Sequence, residues 1–317
     1  MSSKEIDAKY VWSSVPETKR STSSGAFYLI SKTFLSKNMG NAVVYGCAFD
    51  ENNNVRHIRI DRIEELYRLQ GSKYVQSDMQ GVYEELYNDL ASGRYVLFSG
   101  TACQVAAVSL YAKKYRANLF TIDVLCHGVP SPQFWNDYVA FLEKKYKGKL
   151  FDIRFRNKSN RNRLGYLLTF KVNGRNKKIF VNESVYYTSF INSTSLRPSC
   201  YKCPFVGDYE YSNVTLCDSN TKLFHPFEAI SLLIIRDEKG RQLFESIKSQ
   251  IEYMDANVRE EAILNKKLAK STSRPEDRCN YSIGNNNDLE IKNNIKDWLL
   301  NRIKNFIPTR IKQFYKR

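Results

Sequence analysis

The sequence lacks several features that define common classes of protein. It has no run of 18 consecutive apolar residues, so we expect no membrane-spanning helix. The first seven residues have no apolar signal-peptide core, so we do not expect export. Seven cysteines in 317 residues are too few, and an odd number, for a disulfide scaffold. We therefore expect a cytoplasmic protein whose cysteines are buried thiols, metal ligands or redox groups.

Motifs for hydrolysis and for nucleic-acid binding are also missing. The three histidines, His57, His127 and His225, stand in no arrangement that is typical of a hydrolase. There is no helix-turn-helix, aromatic RNA-binding motif or zinc-finger spacing, so we expect no nucleic-acid partner despite a net charge of +16. Apolar residues make up 42% of the chain, which is enough for a sizeable core.

Positive charge is in excess and unevenly distributed. Residues 144–178 contain thirteen Lys or Arg and one acid, Asp152. One interpretation is a solvated face with hairpin edges, where Lys and Arg discourage pairing between sheet edges. The other is a surface for a polyanionic ligand or cofactor. The sequence leaves both open.

The second basic segment is the C-terminus. Residues 288–317 have eight Lys or Arg against three acids, and apolar residues that include Trp298 recur at helical spacing. This pattern predicts a basic amphipathic helix. Such a helix can lie on an anionic membrane surface, at the inner membrane face, or dock on its own domain.

Two strand–loop–helix units follow one another in the middle of the chain. The buried strand at 95–98 leads through the loop 99–104 into a helix. The buried strand at 119–125 leads through the loop 126–132 into the next helix. Successive units of this kind indicate parallel strands with ligand loops at their carboxyl ends.

After residue 149 the pattern changes to short strands, two of them joined at Asn173-Gly174, a hairpin turn signal. We predict an α/β fold with α+β elements: a mixed sheet with strand–loop–helix units, an antiparallel hairpin region and a C-terminal amphipathic helix. The predicted division is an N-terminal polar segment at 1–20, a main domain at 21–255, a linker at 256–287 and the C-terminal helix at 288–317.

Four cysteines form the main candidate site. Cys200-x-x-Cys203 is the one close pair, and it fits half of a zinc site, a redox dithiol or half of an iron–sulfur site. Cys103 and Cys126 lie in loops at the predicted carboxyl ends of adjacent strands. Together the four thiolates would complete the ligand set of a [4Fe–4S] cluster. The alternative is that Cys103 and Cys126 are buried apolar thiols.

Several segments together are similar to a known family, and they keep its order along the chain. They are Ser23-Ser24-Gly25-Ala26-Phe27, Val44-Tyr45-Gly46, Gly71-Ser72-Lys73-Tyr74-Val75-Gln76-Ser77, Ser99-Gly100-Thr101-Ala102-Cys103-Gln104, Cys126-His127-Gly128-Val129-Pro130, Phe155-Arg156-Asn157-Lys158 and Arg197-Pro198-Ser199-Cys200-Tyr201-Lys202-Cys203-Pro204. On these segments the chain resembles the coenzyme F420 hydrogenase/dehydrogenase beta-subunit family of iron–sulfur flavoproteins.

The resemblance implies two cofactors and a set of site residues. It implies a [4Fe–4S] cluster on Cys103, Cys126, Cys200 and Cys203, and electron transfer between cluster, flavin and a substrate or deazaflavin. His127, which follows Cys126 directly, is a candidate proton donor near the flavin or the substrate. The resemblance also implies FAD bound by Ser23, Ser24, Gly25, Ser72, Lys73, Gln76, Gly100, Thr101 and Asp218.

The chain departs from the family pattern at two places that matter. It has no cysteine before Cys47, so it lacks the ferredoxin segment of many members and would need an external electron donor. The family's Gly-Asp-Phe-Trp-Gly segment is here Cys217-Asp218-Ser219-Asn220-Thr221, and Asn213 stands where an acid is usual. A flavin or substrate contact at this segment is therefore uncertain.

Two hypotheses follow. The first is an oxidoreductase that transfers electrons between ferredoxin, or the reduced deazaflavin coenzyme F420, and a small-molecule substrate, in bacterial surface polysaccharide biosynthesis. An acidic ferredoxin would then dock on the basic residues 144–178. The second is a degenerate, non-catalytic relative that acts in a membrane-associated polysaccharide-assembly complex through residues 288–317.

Overall fold

The structure is a computed structural model that describes residues 6–157, 167–207, 211–221, 223 and 229–276. The C-terminal helix predicted at 288–317 and the histidine His225 lie outside the described residues.

Two sheets organise the described part of the chain. The strands in chain order are β1 (Ala8–Trp12), β2 (Ala42–Phe49), β3 (Val55–Ile60), β4 (Tyr95–Thr101), β5 (Leu119–Val124), β6 (Leu150–Arg154), β7 (Leu167–Val172), β8 (Arg175–Phe180), β9 (Val214–Asp218), β10 (Ser231–Ile235) and β11 (Glu252–Asp255). The larger sheet has eight strands in the order β11-β1-β10-β9-β5-β4-β2-β3, and the smaller has the order β6-β7-β8.

The centre of the larger sheet is parallel, as the strand–loop–helix pattern predicts. β2, β4, β5 and β9 pair in parallel, while β3, β10, β1 and β11 add antiparallel strands at the two sides. The carboxyl ends of the four parallel strands therefore share one edge of the sheet. The loop before β10 reaches the same edge, because Ser231 at the start of β10 pairs with Asp218 at the end of β9.

Helices cover both faces of this sheet. They are α1 (Ala26–Lys37), α2 (Val82–Ala91), α3 (Ala102–Tyr111), α4 (Pro132–Tyr146), α5 (Val185–Ile191), α6 (Glu238–Ile247) and α7 (Val258–Leu264). Side chains alternate along β2 because successive strand residues point to opposite faces: Val44 packs in the core with α1 and α6, whereas Val43 and Tyr45 pack with α2 and α3. None of the helices in the described ranges is long and apolar enough to cross a bilayer.

The smaller sheet packs with α4 and α5 around an aromatic core. Trp135 is 1% exposed, and its indole N–H donates to the Asn53 carbonyl at 2.7 Å, which ties this core to the turn after β2. The β7–β8 hairpin turns at Asn173 and Gly174, with φ angles of +49° and +71°. Both angles are positive, as the favoured two-residue hairpin turns require, so the predicted hairpin is confirmed.

The ends of the chain are more structured than their composition suggests. β1 lies inside the segment predicted as polar, and it is a strand because β10 and β11 pair with it on both sides. The described part of the predicted linker contains α7, whose Glu261 is fully buried. This part of 256–287 is therefore packed on the sheet, and the remaining domain division stays a prediction.

Candidate functional site

Three segments of the chain bring four cysteines together at the carboxyl edge of the parallel strands, and one of them is a helix start rather than the predicted loop. Cys103 lies in the first turn of α3, directly after β4, and Cys126 follows β5. The loop after Cys126 pairs with the segment that precedes Cys200: Pro130 bridges to Leu196, and the Arg197 N–H donates to the Val129 carbonyl at 3.0 Å. These contacts hold the Cys200 and Cys203 segment against the Cys126 loop.

The cysteine loops approach each other closely at Gly128. Its φ of +115° is in the region that favours glycine, and a Cβ there would lie 2.6 Å from Leu196 Cδ1 and 3.0 Å from Cys200 Cβ. The Gly128 N–H donates to Cys126 Sγ at 3.3 Å. Any larger residue at position 128 would therefore separate the two cysteine loops.

The electrostatics of the four thiols fit a cationic occupant. Burial, together with negative charge on the other three cysteines, raises the pKa of the Cys126 thiol to about 12, although the hydrogen bond from Gly128 opposes this. Burial raises the pKa of Cys203 as well, with Cys103 and Cys200 adding to it. Thiolates that repel one another become stable when a bound metal supplies positive charge.

Within the described residues, no group of three or more His, Cys, Asp or Glu side chains is arranged to hold a single metal ion. In a cubane cluster each thiolate binds a different iron, so the thiolates of a cluster stand farther apart than the ligands of one ion. Four cysteines whose charges interact are the number and type of ligand that a [4Fe–4S] cluster takes.

Cys103 is the exposed member of the set, and a capping box fixes its position. Thr101 caps α3, its Oγ1 lies 3.2 Å from Cys103 Sγ, and its N–H donates to Gln104 Oε1 at 3.0 Å. A Cβ at Gly100 would lie 3.1 Å from that same Oε1. Gly100 and Thr101, predicted as FAD contacts, thus shape the helix start that presents Cys103.

A buried hydrogen-bond chain joins this helix start to the segment that contains Gln76. Gln104 Nε2 donates to Ser77 Oγ at 2.8 Å, and Ser77 Oγ lies 2.9 Å from His57 Nδ1. His57 Nε2 lies 2.9 Å from the Ser99 carbonyl, which only accepts, so Nε2 carries the proton and Nδ1 accepts from Ser77. Burial lowers the pKa of His57 to about 4.

This histidine predicts an acid-sensitive fold. Between pH 6.5 and 4 the unfolded chain binds a proton at His57 and the folded chain does not, so stability falls as the pH falls through this window. We expect His57 to lower the free energy of unfolding by about 3 kcal/mol over this window, because each pKa unit corresponds to about 1.4 kcal/mol. Urea unfolding at a series of pH values measures this change in the free energy of unfolding. A His57→Gln variant should show a shallower pH dependence, and an unchanged slope would contradict the assignment.

Two clefts lie on either side of the turn after β2, and both are lined by Asp50. The larger, of about 630 Å³, is lined by Gln76 and Ser77, by Trp135 and by the exposed Cys103. This volume is in the range of small-molecule sites. Of the predicted site residues, Gln76 and Cys103 therefore face one cavity.

The smaller cleft, of about 270 Å³, lies between the two sheets and is rich in cations. Its basic lining residues are Lys19, Arg20, Arg68, Lys73, Arg154 and Arg156. Predicted Ser72 and Lys73 line this cleft. The Lys73 ammonium donates to the carbonyls of Arg68, Leu69 and Gln70 at 3.0–3.2 Å, and burial lowers its pKa. Asp50, Glu51 and Asp152 also line the cleft, and Asp152 pairs with Arg20 and Arg154. The cations exceed the acids by three, since 6 − 3 = 3, so the cleft keeps an excess of positive charge that favours an anionic ligand.

A family model for the C terminus of the coenzyme F420 hydrogenase/dehydrogenase beta subunit matches residues 93–259, more than half of the chain. The chain belongs to this family. Its class of chemistry is accordingly oxidoreduction. The same fold occurs in a chain of the F420-reducing [NiFe] hydrogenase complex from Methanosarcina barkeri, whose structure was solved in a xenon derivatization study. The TM-score is 0.56 and the sequence identity is 14%, and the match covers 84% of this chain and 90% of that chain. No curated protein matches.

In this family member the serine loop before α1 is held by the protein itself. Ser23 Oγ donates to the Ile230 carbonyl at 3.0 Å, and Ser24 Oγ lies 2.8 Å from Ser231 Oγ. Gly25 has a φ of +88°, and a Cβ there would lie 2.4 Å from Thr18 Cβ. Ser72 donates to Thr22 Oγ1, so the structure does bring the two predicted FAD loops together. Ser23, Ser24 and Gly25 are not among the residues that line the two clefts.

The segment that departs most from the family pattern is anchored by the protein's own side chains. Asp218 forms an ion pair with Arg156, which links β9 to the smaller sheet. The buried Glu261 accepts from the Ser219 hydroxyl and from the Asn220 N–H. Asn213 lies at the opposite end of β9, where its side chain bonds Thr121 and Asp237. Asn213 is thus remote from the carboxyl edge, and Asp218 already has a cationic partner.

His127 is partly buried next to Cys126, with its Nε2 atom buried. Burial, with a further contribution from Lys267, lowers the pKa of His127 to about 4. Its ring packs on Phe190 at 4.4 Å between centroids, and no described group hydrogen-bonds Nε2. The imidazole is therefore neutral at pH 7 and offers a proton acceptor. The predicted role of proton donor would require a proton to be taken up first.

Sequence reasoning missed several residues of this site. Arg20 and Arg156 line the cationic cleft, and Glu261 anchors the altered segment. The basic Arg154-Phe155-Arg156 run was one available signal for the cleft. No local signal marks Glu261, because its partners Tyr10 and Ser219 lie 251 and 42 residues away.

Proposed function

We propose that this protein is an iron–sulfur flavoprotein oxidoreductase with a [4Fe–4S] cluster and FAD. The meeting of Cys103, Cys126, Cys200 and Cys203 at one sheet edge carries the proposal. Two adjacent clefts, one containing Cys103 and one lined by six cations, support a flavin dinucleotide next to the cluster. Bound together, the two cofactors would interconvert hydride equivalents and single electrons.

The chain's own residues would hold and shield these groups. The four cysteines would be the cluster ligands, and Gly128 permits their loops to approach. The basic cleft, which Ser72 lines, would hold the FAD phosphates through its positive charge. Lys73 would add to that charge while its ammonium donates to three backbone carbonyls. Gln76 in the larger cleft would contact the flavin or its ribityl chain. Ser23, Ser24, Gly25, Gly100 and Thr101 would act by shaping the loops around the ligand. His127 would accept a proton through Nε2.

The substrate in this proposal is a small molecule that enters the larger cleft. The electrons would pass between it and a ferredoxin-like carrier or the reduced deazaflavin coenzyme F420. The chain resembles short family members of bacterial surface polysaccharide biosynthesis, and we propose the same context here.

Purification without oxygen tests this proposal. We expect about four irons, about four sulfides and one acid-released flavin per chain, with visible absorption from both chromophores. Neither iron nor flavin in an anaerobic preparation with a native circular dichroism spectrum would contradict the proposal.

A second candidate function is favoured by the altered segment 217–221. Its Asp218 pairs with Arg156, and its Ser219 and Asn220 bond Glu261, so the segment's polar groups have partners within the protein. In this alternative the protein is a non-catalytic member that keeps the fold and acts in a membrane-associated polysaccharide-assembly complex. Iron without flavin would favour it over the reductase.

A further inference from the structure

The segment after α7 lies directly against the cysteine loops. Thr272 Oγ1 donates to the His127 carbonyl at 2.5 Å, and Ser271 Oγ donates to the Tyr201 carbonyl at 3.2 Å. Lys267 Nζ donates to Thr272 Oγ1 at 2.7 Å. These contacts fix the segment next to His127, which follows Cys126, and next to Tyr201, one of the two residues between Cys200 and Cys203.

These two neighbouring segments present only positive charge. Exposed cations are Arg197, Lys202, Lys266, Lys270 and Arg274, which we name the basic collar. Residues 196–207 and 265–274 contain no Asp or Glu, and the first acid after Arg274 is the exposed Glu276. The collar cations are exposed on segments that contact the cysteine loops, so a partner that approaches these loops meets a surface with excess positive charge.

The other basic surface lies farther from the cysteines. Lys144, Lys145 and Lys147 are at the C-terminal end of α4, whereas the Cys126 loop leads into its N-terminal end. Lys144 follows Pro132 by twelve residues, so the two ends are roughly 18 Å apart at 1.5 Å per residue. Electron tunnelling slows steeply with distance, so a carrier bound at this far end is poorly placed to serve the cysteine site.

We propose that the basic collar is the docking surface for a small acidic one-electron carrier protein. The inference rests on the proposed function, since it assumes that the four cysteines hold a redox centre. The collar fits such a partner because its cations lie on segments that contact the cysteine loops, and their charge is complementary to an acidic surface. Rim charges of this kind steer encounter, and the binding they support weakens with salt.

Two matched triple variants of the full chain test the proposal. The collar triple is Lys266→Glu, Lys270→Glu and Arg274→Glu, and the control triple is Lys144→Glu, Lys145→Glu and Lys147→Glu. Each reverses three charges and lowers the net charge from +16 to +10, since 16 − 6 = 10. All six side chains are exposed, so we expect both triples to fold. The probe is an acidic bacterial ferredoxin with two [4Fe–4S] clusters, titrated calorimetrically under anaerobic conditions at low and high salt.

We expect the collar triple to weaken ferredoxin binding at least about tenfold at low salt, and the control triple less than about threefold. The difference should shrink at high salt. Equal losses, or a larger loss in the control, would overturn the collar as the docking surface. Loss of binding to anionic phosphatidylglycerol vesicles with unchanged ferredoxin affinity would overturn it in favour of a membrane contact.

Iron and flavin assays on the same preparations separate this proposal from the proposed function. If the protein contained its full iron and flavin but the two triples bound ferredoxin equally well, the collar would be rejected as the docking surface and the proposed oxidoreductase function would be unaffected. Collar-dependent ferredoxin binding by a chain without iron or flavin would keep the docking surface and reject the oxidoreductase.

Discussion

Replacing both Cys200 and Cys203 by serine is expected to lower the iron content from about four atoms per chain to less than about one. The reason is that the change removes two of four thiolate ligands from one loop, and a serine hydroxyl is a much poorer ligand for iron. Iron and sulfide assays after anaerobic purification measure the loss. The visible absorption of the cluster should disappear with the metal.

The matched control is the double variant Cys47→Ser and Cys217→Ser. These cysteines are also free thiols of intermediate exposure, but neither is in the proposed ligand set. Cys217 Sγ lies 3.8 Å from the Leu232 carbonyl, to which a serine hydroxyl can donate instead. The control should keep its iron. Equal iron in both double variants would show that Cys200 and Cys203 are not ligands.

Replacing Glu261 by alanine is expected to lower the free energy of unfolding by about 3 kcal/mol. Its fully buried carboxylate accepts from the hydroxyl groups of Tyr10 and Ser219 and from the Asn220 N–H. The variant removes the acceptor that these three donors share. Urea unfolding measures the change, and hydrogen exchange should show faster opening around residue 220.

Glu260→Ala is the control for this variant. Glu260 precedes Glu261 on α7 but is exposed, and its carboxylate accepts from the Asn257 side chain at 3.0 Å. We expect a change of less than about 0.5 kcal/mol, as for most surface substitutions. If both variants lost the same stability, the anchoring role of Glu261 would be wrong.

Much of the parallel core could be predicted from the sequence because its signals are local. The buried run at 95–98 predicted β4, which the structure confirms and extends to Thr101. The loop predicted at 99–104 is instead the end of β4 and the first turn of α3, which begins at Ala102. The buried run at 119–125 likewise predicted β5, which the structure confirms at Leu119–Val124. Two adjacent parallel strands necessarily place their following loops at one edge, so the proximity of Cys103 and Cys126 followed from this pattern.

The other parts of the fold and of the candidate site depend on contacts between distant parts of the chain. β1 has little pattern of its own, and it is a strand because Ala8 pairs with Ile234 and Lys9 with Asp255. The packing of α7 likewise depends on Tyr10, at the other end of the chain. The Cys200 pair reaches the other cysteines through the Pro130–Leu196 bridge, which no local spacing predicts.

Three predicted cofactor residues have side-chain contacts within the protein itself. Ser23 and Ser24 use their hydroxyl groups on Ile230 and Ser231, and the Lys73 ammonium donates to three backbone carbonyls. Residue type suggested the pyrophosphate or ribityl groups of FAD as partners of the serines, and positive charge from Lys73. A hydroxyl or an ammonium group satisfies whichever acceptor the fold brings to it, and the sequence does not specify that acceptor.

Stepwise anaerobic reduction with dithionite, followed by visible and electron paramagnetic resonance spectroscopy, tests the central claim most directly. An iron–sulfur flavoprotein predicts bleaching of the flavin band together with a paramagnetic signal from the reduced cluster, and the Cys200→Ser/Cys203→Ser variant should lack that signal. A folded, anaerobically purified protein with neither flavin bleaching nor a paramagnetic cluster signal would contradict the account.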